Sequence, residues 1–258
     1  MSLSLEDKKE LQTAKYLLEN PGITAKFTNL LGTPIEKGFN LLPENWRDKV
    51  GIATQDALMA ALQGALFTMD SDAKEAYPRW HKFAAALSGG VGGAFGLPAL
   101  IVELPVSTTI MLRSIADIGR SHGENLTTAE SKIACLEVFA LGGPSSHDDS
   151  SESGYFAIRG ALARAVTEAS EYLAEKAIVE EGAPALVRLI AVVATRFKVQ
   201  VSEKAAAMAI PIIGAIGGGG INLLFIDHFQ DMSRGHFVVR KLERKYGADV
   251  VRSMYESL

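Results

Sequence analysis

Two long stretches of the chain contain no charged residue, and they constrain its fold more than any other feature. The first spans residues 83–102 and the second spans residues 205–226. Each reaches the ~20 residues that a helix needs to cross a bilayer, but many of these residues are glycine and alanine, which contribute little hydrophobicity. A buried helical hairpin in a bundle would show the same pattern. The two stretches favour a helical protein that lies on a membrane or dips into it.

The composition excludes several classes of protein. Apolar residues make up 48% of the 258 residues, and mean hydropathy is +0.14, which excludes wholesale disorder. The net charge of −4 argues against nucleic acid as a partner, because that role needs a concentrated positive field. A single cysteine excludes a disulfide framework and a cysteine-based zinc site. The charged N-terminal segment lacks the apolar core of a secretory signal, so we expect a cytoplasmic protein.

Helical periodicity dominates the chain and predicts an all-α fold, a multi-helix bundle. Thr127 or Thr128 is the expected N-cap of a helix that runs from Asn125 to Leu141. We expect Glu103, Leu104 and Pro105 to interrupt the helical pattern between the first charge-free stretch and a helix over residues 106–122. Further predicted helices span residues 44–69, 106–122, 155–181 and 183–200. A short N-terminal helix, a basic amphipathic helix from Asp227 to Gly247 and a short terminal helix are also predicted. No alternating strand pattern of useful length occurs.

The predicted organisation is an N-terminal helical extension followed by one larger domain. The extension comprises residues 1–43, which contain several helix breakers, and the domain comprises residues 44–258. Within the domain, residues 142–154 combine turn formers with serine and acidic residues, which is typical of a flexible linker. This linker joins two halves, residues 44–141 and 155–258.

The two halves align with each other at an offset of 124 residues. At this offset Glu103 aligns with Asp227, and the later Gly123 aligns with Gly247. We therefore predict two pseudo-symmetric, glycine-rich central hairpins whose glycines let helix backbones approach closely. The alternative is that the glycines break the helices and form loops. The glycines expected to pack the helices are Gly90, Gly93 and Gly96 in the first half and Gly214, Gly217 and Gly220 in the second.

Three segments resemble the EcsC protein family over about residues 44–247. They are SGGVGGAFGLPALIVELPVSTTIMLRSIADIGRSHG, IPIIGAIGGGGINLLFIDHF and FVVRKLERKYG. The resemblance implies a bacterial, all-helical protein that is cytoplasmic or membrane-associated. The family's namesake is encoded beside an ABC transporter, which makes transport machinery a candidate protein partner. The resemblance supplies no catalytic residues.

Two acids that follow the charge-free stretches are the sharpest candidates for chemistry. Glu103 and Asp227 would face each other under the repeat, and two such carboxylates could share a proton or hold a cation. With His228 and Asp231 they could form an oxygen-rich metal site. The alternative is that each acid caps a helix or pairs with a local arginine. We expect no cofactor, and Cys135 lies in an apolar helix where a thiol is usually inert.

A basic stretch follows the second charge-free run and is the candidate for contact with a membrane. Apolar side chains such as Phe237 are interleaved with its cations, and His236 would add charge at mildly acidic pH. Such a helix suits an anionic lipid surface, although a solvated face of a bundle would have the same composition. The candidate contact residues are Arg234, Phe237, Arg240, Lys241, Arg244 and Lys245.

Three functions are compatible with the sequence. The first is a non-enzymatic, membrane-associated protein at the inner face of the cell membrane, accessory to a transporter or an envelope process. The second is a soluble carrier that binds a lipid or another apolar ligand between the hairpins. The third is a hydrolase that uses Glu103 and Asp227, with or without a metal. Neither Ser88 nor Ser107 lies in the Gly-x-Ser-x-Gly turn of a serine hydrolase, so the sequence leans away from an enzyme.

Overall fold

The computed structural model describes residues 3–19, 22–68, 96–143, 154–175, 183–210 and 214–258. All regular secondary structure in these ranges is helical, which confirms the predicted all-α bundle. A 3₁₀ turn, Val138–Ala140, directly follows the helix that ends at Glu137. In chain order the helices are α1 (Leu5–Glu19), α2 (Ile23–Leu31), α3 (Glu36–Phe39), α4 (Trp46–Thr68), α5 (Gly96–Ser121), α6 (Ala129–Glu137), α7 (Gly154–Glu175), α8 (Pro184–Ala209), α9 (Gly214–Tyr246) and α10 (Ala248–Ser257).

An aromatic cluster marks the centre of the core between α8 and α9. Phe139 in the 3₁₀ turn lies 4.9 Å from Phe197 and 5.3 Å from Phe229, measured between ring centroids. Phe225 lies one helical turn before Phe229, with 5.2 Å between their ring centroids. All four rings are buried. Each aromatic pair adds about 0.5–1.5 kcal/mol beyond the burial of its surface, so this cluster fixes how α8 packs on α9.

Helix α5 runs parallel to α9 and packs against it through its later half. The Gln230 amide donates to the Ser114 hydroxyl at 2.9 Å, and the Ser233 hydroxyl donates to the Ile115 carbonyl at 3.4 Å. One turn further along, the Phe237 ring fills the space beside Gly119, where an added Cβ would lie 3.0 Å from it. The later halves of α5 and α9 therefore lie side by side. The pseudo-two-fold relation between them stays a prediction.

The two glycines that close the aligned segments adopt the same unusual backbone conformation. Gly123 follows α5 with φ 84°, and Gly247 follows α9 with φ 90°. Positive φ is costly for residues with a Cβ and is typical of the position just after a helix. The Arg244 guanidinium donates to the His122 carbonyl at 2.8 Å and thereby caps the end of α5.

At the start of α6 the Thr128 hydroxyl accepts from the Ser131 amide, which confirms one of the two predicted N-caps.

The predicted interruption at Glu103-Leu-Pro105 is wrong, because α5 is continuous from Gly96 to Ser121 with Pro105 inside it. A proline inside a helix costs about 3 kcal/mol, since it removes one backbone hydrogen bond and its ring crowds the preceding turn. Leu100 and Leu104, on the turn before the proline, are 1% and 0% exposed. Complete burial of one leucine is worth about 1.5–3 kcal/mol. Packing therefore offsets the local cost of Pro105.

The second charge-free stretch divides between two helices. Helix α8 continues to Ala209, beyond the predicted end at residue 200, and α9 begins at Gly214 and stays helical through Gly217 and Gly220. The loop alternative is therefore wrong for residues 214–220. Gly220 faces Leu30 of α2, where an added Cβ would lie 3.4 Å from the leucine methyl. In the first stretch, Gly96 begins α5, whereas Gly90 and Gly93 lie outside the described residues, as do residues 144–153 of the predicted linker.

The N-terminal helices pack directly on the rest of the bundle. Helix α1 crosses α9 at Gly235, where an added Cβ would lie 3.0 Å from the Ala14 carbonyl and still closer to Leu18. Helix α3 abuts α8, because a Cβ on Gly38 would overlap the Ala206 carbonyl. Residues that the sequence suggested as an extension thus contribute to the same hydrophobic core as the larger domain.

Candidate functional site

One end of the bundle is formed by the glycine-rich starts of α5 and α9 and by the last turns of α8. Because α5 and α9 are parallel, their starts lie at the same end. Lys204 of α8 joins this end to both helices, since it bonds to Glu103 and lies over the Phe225 ring. We call this region the apolar end and define it as residues 96–103, 203–209 and 214–225. Leu30 and Leu41 lie beside it, next to Gly220 and three residues after Gly38, respectively.

Large aliphatic side chains at the apolar end are exposed. Val102 is 78% exposed and Leu223 is 60% exposed, and the neighbouring Leu41 and Leu30 are 55% and 47% exposed. Single exposed aliphatic residues are normal on a protein surface, and several at one end make this end a candidate for an interaction surface. None of the helices, over the residues that the structure describes, is long and apolar enough to cross a membrane.

Glu103 is paired with a lysine of α8. The Lys204 ammonium donates to a Glu103 carboxylate oxygen at 3.0 Å, and the Lys204 side chain is 1% exposed while that of Glu103 is 17% exposed. Burial lowers the pKa of Lys204, and the neighbouring Glu103 carboxylate opposes that shift. Asp227 lies on the exposed side of α9. The Glu103 carboxylate is therefore engaged by Lys204, and the pairing of Glu103 with Asp227 stays a prediction.

The four residues of the predicted metal site point to different surroundings. His228 is buried against Phe229 and Gly142, and burial lowers its pKa to about 4. Asp231 instead forms ion pairs with Lys26 and Arg234, each at 3.0 Å. Within the described ranges, no three His, Cys, Asp or Glu side chains lie close enough together to hold a metal ion. Consecutive side chains on a helix point about 100° apart. Asp227 is therefore exposed while the adjacent His228 is buried.

The opposite end of the bundle concentrates charge in intramolecular ion pairs. We call it the charged end and define it as the first two turns of α1, the α5–α6 loop with the start of α6, and the last two turns of α9. All five cations proposed for membrane contact are paired with acids of this chain. The pairs are Arg234 with Asp231, Arg240 with Glu124 and Glu130, Lys241 with Glu10, Arg244 with Glu124, and Lys245 with Asp7.

Glu124 is the hub of the charged end. Its carboxylate accepts from Arg240 at 2.9 Å, from Ser131 at 2.8 Å and from Arg244, and its side chain is 2% exposed. Burial alone would raise the pKa of Glu124, but these charge-assisted hydrogen bonds hold it below its usual value. The acid thereby binds the end of α5 to the end of α9.

Phe237 is the one candidate for membrane contact that the structure contradicts outright. Its side chain is 0% exposed and packs on Gly119 inside the α5–α9 interface. The expectation that His236 adds positive charge is also wrong, because burial holds the pKa of His236 well below its usual value. Helix α9 is amphipathic, as the spacing of its apolar and basic residues predicts. Its apolar side, however, faces the core and not a membrane.

A buried polar cluster surrounds His236 and was missed by the sequence analysis. The Tyr155 hydroxyl lies 3.0 Å from Nδ1, and a Glu137 carboxylate oxygen lies 3.6 Å from Nε2. Burial raises the pKa of Glu137 to about 7 and raises that of the Tyr155 hydroxyl, and Arg159 opposes both shifts. Tyr155 and Glu137 carry no local motif, so only the packing of α6 and α7 on α9 reveals the cluster. Cys135, also on α6, is buried with a raised thiol pKa, as expected for an inert thiol.

Comparison with known proteins identifies a family. No curated protein and no solved structure matches the chain. The sequence model of the EcsC protein family matches residues 6–242. The match begins inside α1 and ends in the last turns of α9, so it includes both the apolar end and most of the charged end. The chain belongs to the EcsC protein family.

Proposed function

We propose that this protein is a non-enzymatic, peripheral membrane protein that docks on the inner face of the cell membrane through its apolar end, in support of a transport or envelope process. The observation that carries the proposal is the exposure of Val102 and Leu223 at the end of the bundle where α5 and α9 begin. Helix starts rich in glycine and aliphatic residues suit the boundary between headgroups and acyl chains.

The expected strength of docking is modest. Complete burial of a valine or leucine side chain is worth about 1.5–3 kcal/mol, and Val102, Leu223, Leu41 and Leu30 each keep roughly half or more of that surface exposed. Their insertion together would supply about 4–6 kcal/mol. A single myristoyl chain gives a comparable, reversible affinity. We therefore expect binding that exchanges between membrane and solution.

The charges near the apolar end favour shallow docking. Glu103 directly follows Val102 in the sequence, but its ion pair with Lys204 makes the two groups neutral together. An unpaired carboxylate at this place would oppose insertion, because moving a charge out of water is costly. The pair also marks how deeply the end can enter, since Glu103 keeps contact with solvent while Lys204 does not.

Sedimentation with neutral phosphatidylcholine vesicles tests the proposal. Val102→Asp and Leu223→Asp should each weaken binding by about tenfold, because each removes an inserting side chain and adds a charge. Val187→Asp is the matched control, since Val187 is 44% exposed in the first turn of α8, far along that helix from Lys204. Circular dichroism verifies that all three variants fold. Equal binding by the wild type and both apolar-end variants would refute docking through this end.

A further inference from the structure

We propose that the buried cluster of Glu137, His236 and Tyr155 is a pH-sensitive fastener, in which one proton held between Glu137 and His236 keeps the end of α6 closed on α9. Loss of this proton as the pH rises through neutrality loosens the end of α6 and the 3₁₀ turn after it. The inference concerns the interior of the bundle, so it does not depend on the proposed membrane function.

The cluster joins three helices through side chains that solvent barely reaches. Glu137 is the last residue of α6, Tyr155 lies in the first turn of α7, and His236 lies in α9. These residues are 6%, 3% and 0% exposed, respectively. The Tyr155 hydroxyl lies 3.0 Å from Nδ1 of His236, whereas Nε2 has no hydrogen-bond partner among the described residues and lies 3.6 Å from a Glu137 carboxylate oxygen. A buried nitrogen without a partner is costly, so this gap is the place for a shared proton.

The position of Glu137 in the fold favours its protonated form. Burial removes the water that would stabilise a carboxylate, and it raises the pKa of Glu137 to about 7. The end of a helix also carries partial negative charge, and Glu137 lies at the end of α6. A protonated carboxyl group is a hydrogen-bond donor, which an ionised one is not. An approach of about 0.5 Å brings this donor within bonding distance of Nε2.

The cations near the cluster oppose this preference, but each is already engaged by other acids. Arg159 donates to both carboxylate oxygens of Glu243, at 2.7 and 3.1 Å. Arg240 is paired with Glu124 and Glu130. Neither arginine is therefore a free counter-charge for an ionised Glu137. The charged and titratable groups around the cluster are Glu130 on α6, Arg159 on α7, Arg240 and Glu243 on α9, Tyr255 of α10 against Tyr155, and Arg120 and Glu124 on the α5 side, which act on Cys135.

Loss of one proton reverses both hydrogen bonds of His236. When Glu137 is protonated, its hydroxyl donates to Nε2, and Nδ1 carries the imidazole proton and donates to the Tyr155 oxygen. When the cluster loses a proton to solvent, the Glu137 proton passes to Nε2 and Nδ1 releases its own, so that Nδ1 accepts from the Tyr155 hydroxyl. The imidazole is neutral in both states, in keeping with a pKa held well below its usual value by burial. The negative charge appears on Glu137.

An ionised Glu137 loosens the segment that follows it. The 3₁₀ turn Val138–Ala140 begins at the next residue and places Phe139 in the aromatic cluster of the core. Local opening of this end of α6 lets water solvate the carboxylate, which offsets part of the cost of ionisation. The junction between α6 and α9 therefore responds to pH near neutrality.

Hydrogen–deuterium exchange of the full chain between pH 4.5 and 8 tests the fastener. Protection of residues 131–141 in the wild type, relative to Glu137→Gln, should fall by up to about 100-fold across this range, because the variant cannot ionise. Comparison at each pH cancels the acceleration of exchange by hydroxide. Glu130→Gln is the matched control and should follow the wild type, since Glu130 lies on the same helix but its side chain is 73% exposed. The same pH dependence in the wild type and in Glu137→Gln would overturn the proposal.

The ring nitrogens of His236 report the proton directly, without any substitution of Glu137. In protein labelled with ¹⁵N-histidine, NMR should show Nδ1 protonated at pH 5 and Nε2 protonated at pH 8. The variant His236→Gln assigns the signal by its absence. One unchanged tautomer across this range would overturn the proton exchange and the fastener with it. Neither readout involves vesicles, so failure of the fastener and failure of docking through the apolar end are distinguishable.

Discussion

The two ends of the bundle use the same pair of helices in opposite ways. At the apolar end, α5 and α9 expose Val102 and Leu223, and Glu103 pairs with a buried lysine. At the charged end, the last turns of α9 carry a dense set of cations, and acids from α1 and the α5–α6 loop pair with them. A basic stretch in a sequence is therefore a poor guide to a free basic surface. The proposed docking surface consists instead of aliphatic residues that remain uncovered.

The largest effect should come from breaking the hub of the charged end. Glu124→Ala removes the common partner of Arg240 and Arg244, and Arg240 is itself 13% exposed. Loss of one partner from a buried ion pair costs about 3–5 kcal/mol. We expect the free energy of unfolding, measured by urea denaturation, to fall by about 3 kcal/mol. Glu130→Ala is the control, because Glu130 also pairs with Arg240 but is 73% exposed, and it should cost less than about 1 kcal/mol.

Much of the fold is predictable because its determinants are local. Thr128 caps α6 through a hydrogen bond to a residue three positions away, and Gly123 and Gly247 end their helices through their own backbone conformation. The repeat in the sequence aligns these two glycines with each other. Pro105 shows the limit of local rules: a proline normally ends a helix, but leucines of the preceding turn pack into the core and keep α5 continuous.

The candidate sites were harder to predict because their partners lie far apart in the sequence. Glu103 bonds to Lys204, 101 positions away, and Asp7 bonds to Lys245 from the other end of the chain. Lys204 immediately precedes the second charge-free stretch, just as Glu103 immediately follows the first. A cation at the border of one stretch was therefore a usable signal for the partner of the acid at the border of the other. No local pattern could tell which side of α9 is buried. The side that carries Phe237 packs on α5 at Gly119, where the absence of a side chain leaves room for the Phe237 ring.

A pH-dependent effect is expected from the cluster around His236, which lies toward the charged end. The folded protein raises the pKa of Glu137 to about 7 from an ordinary value of 4.5. The contribution of Glu137 to the stability of the folded protein is therefore fully present below pH 4.5 and is lost as the pH rises through 7. His236 acts in the opposite direction, because its lowered pKa makes stability fall as the pH drops below 6.5.

Glu137→Gln separates these two contributions, since it keeps a neutral hydrogen-bonding side chain and cannot ionise. Relative to this variant, the wild type should lose up to about 3 kcal/mol of unfolding free energy between pH 4.5 and 8. Urea denaturation of both proteins across this range provides the measurement. A difference between them that is independent of pH would show that Glu137 titrates normally.

The smallest of these effects should come from the ion pair at the apolar end. Glu103→Gln leaves the Lys204 ammonium buried without a counter-charge, and we expect the free energy of unfolding to fall by about 2 kcal/mol. Adding Lys204→Met should restore most of this loss, because an apolar side chain of similar length suits the position over Phe225. The double variant should also keep its affinity for neutral vesicles. If restoring the stability abolished vesicle binding, the charge pair itself would be part of the membrane contact, and the contrast between the two ends would narrow.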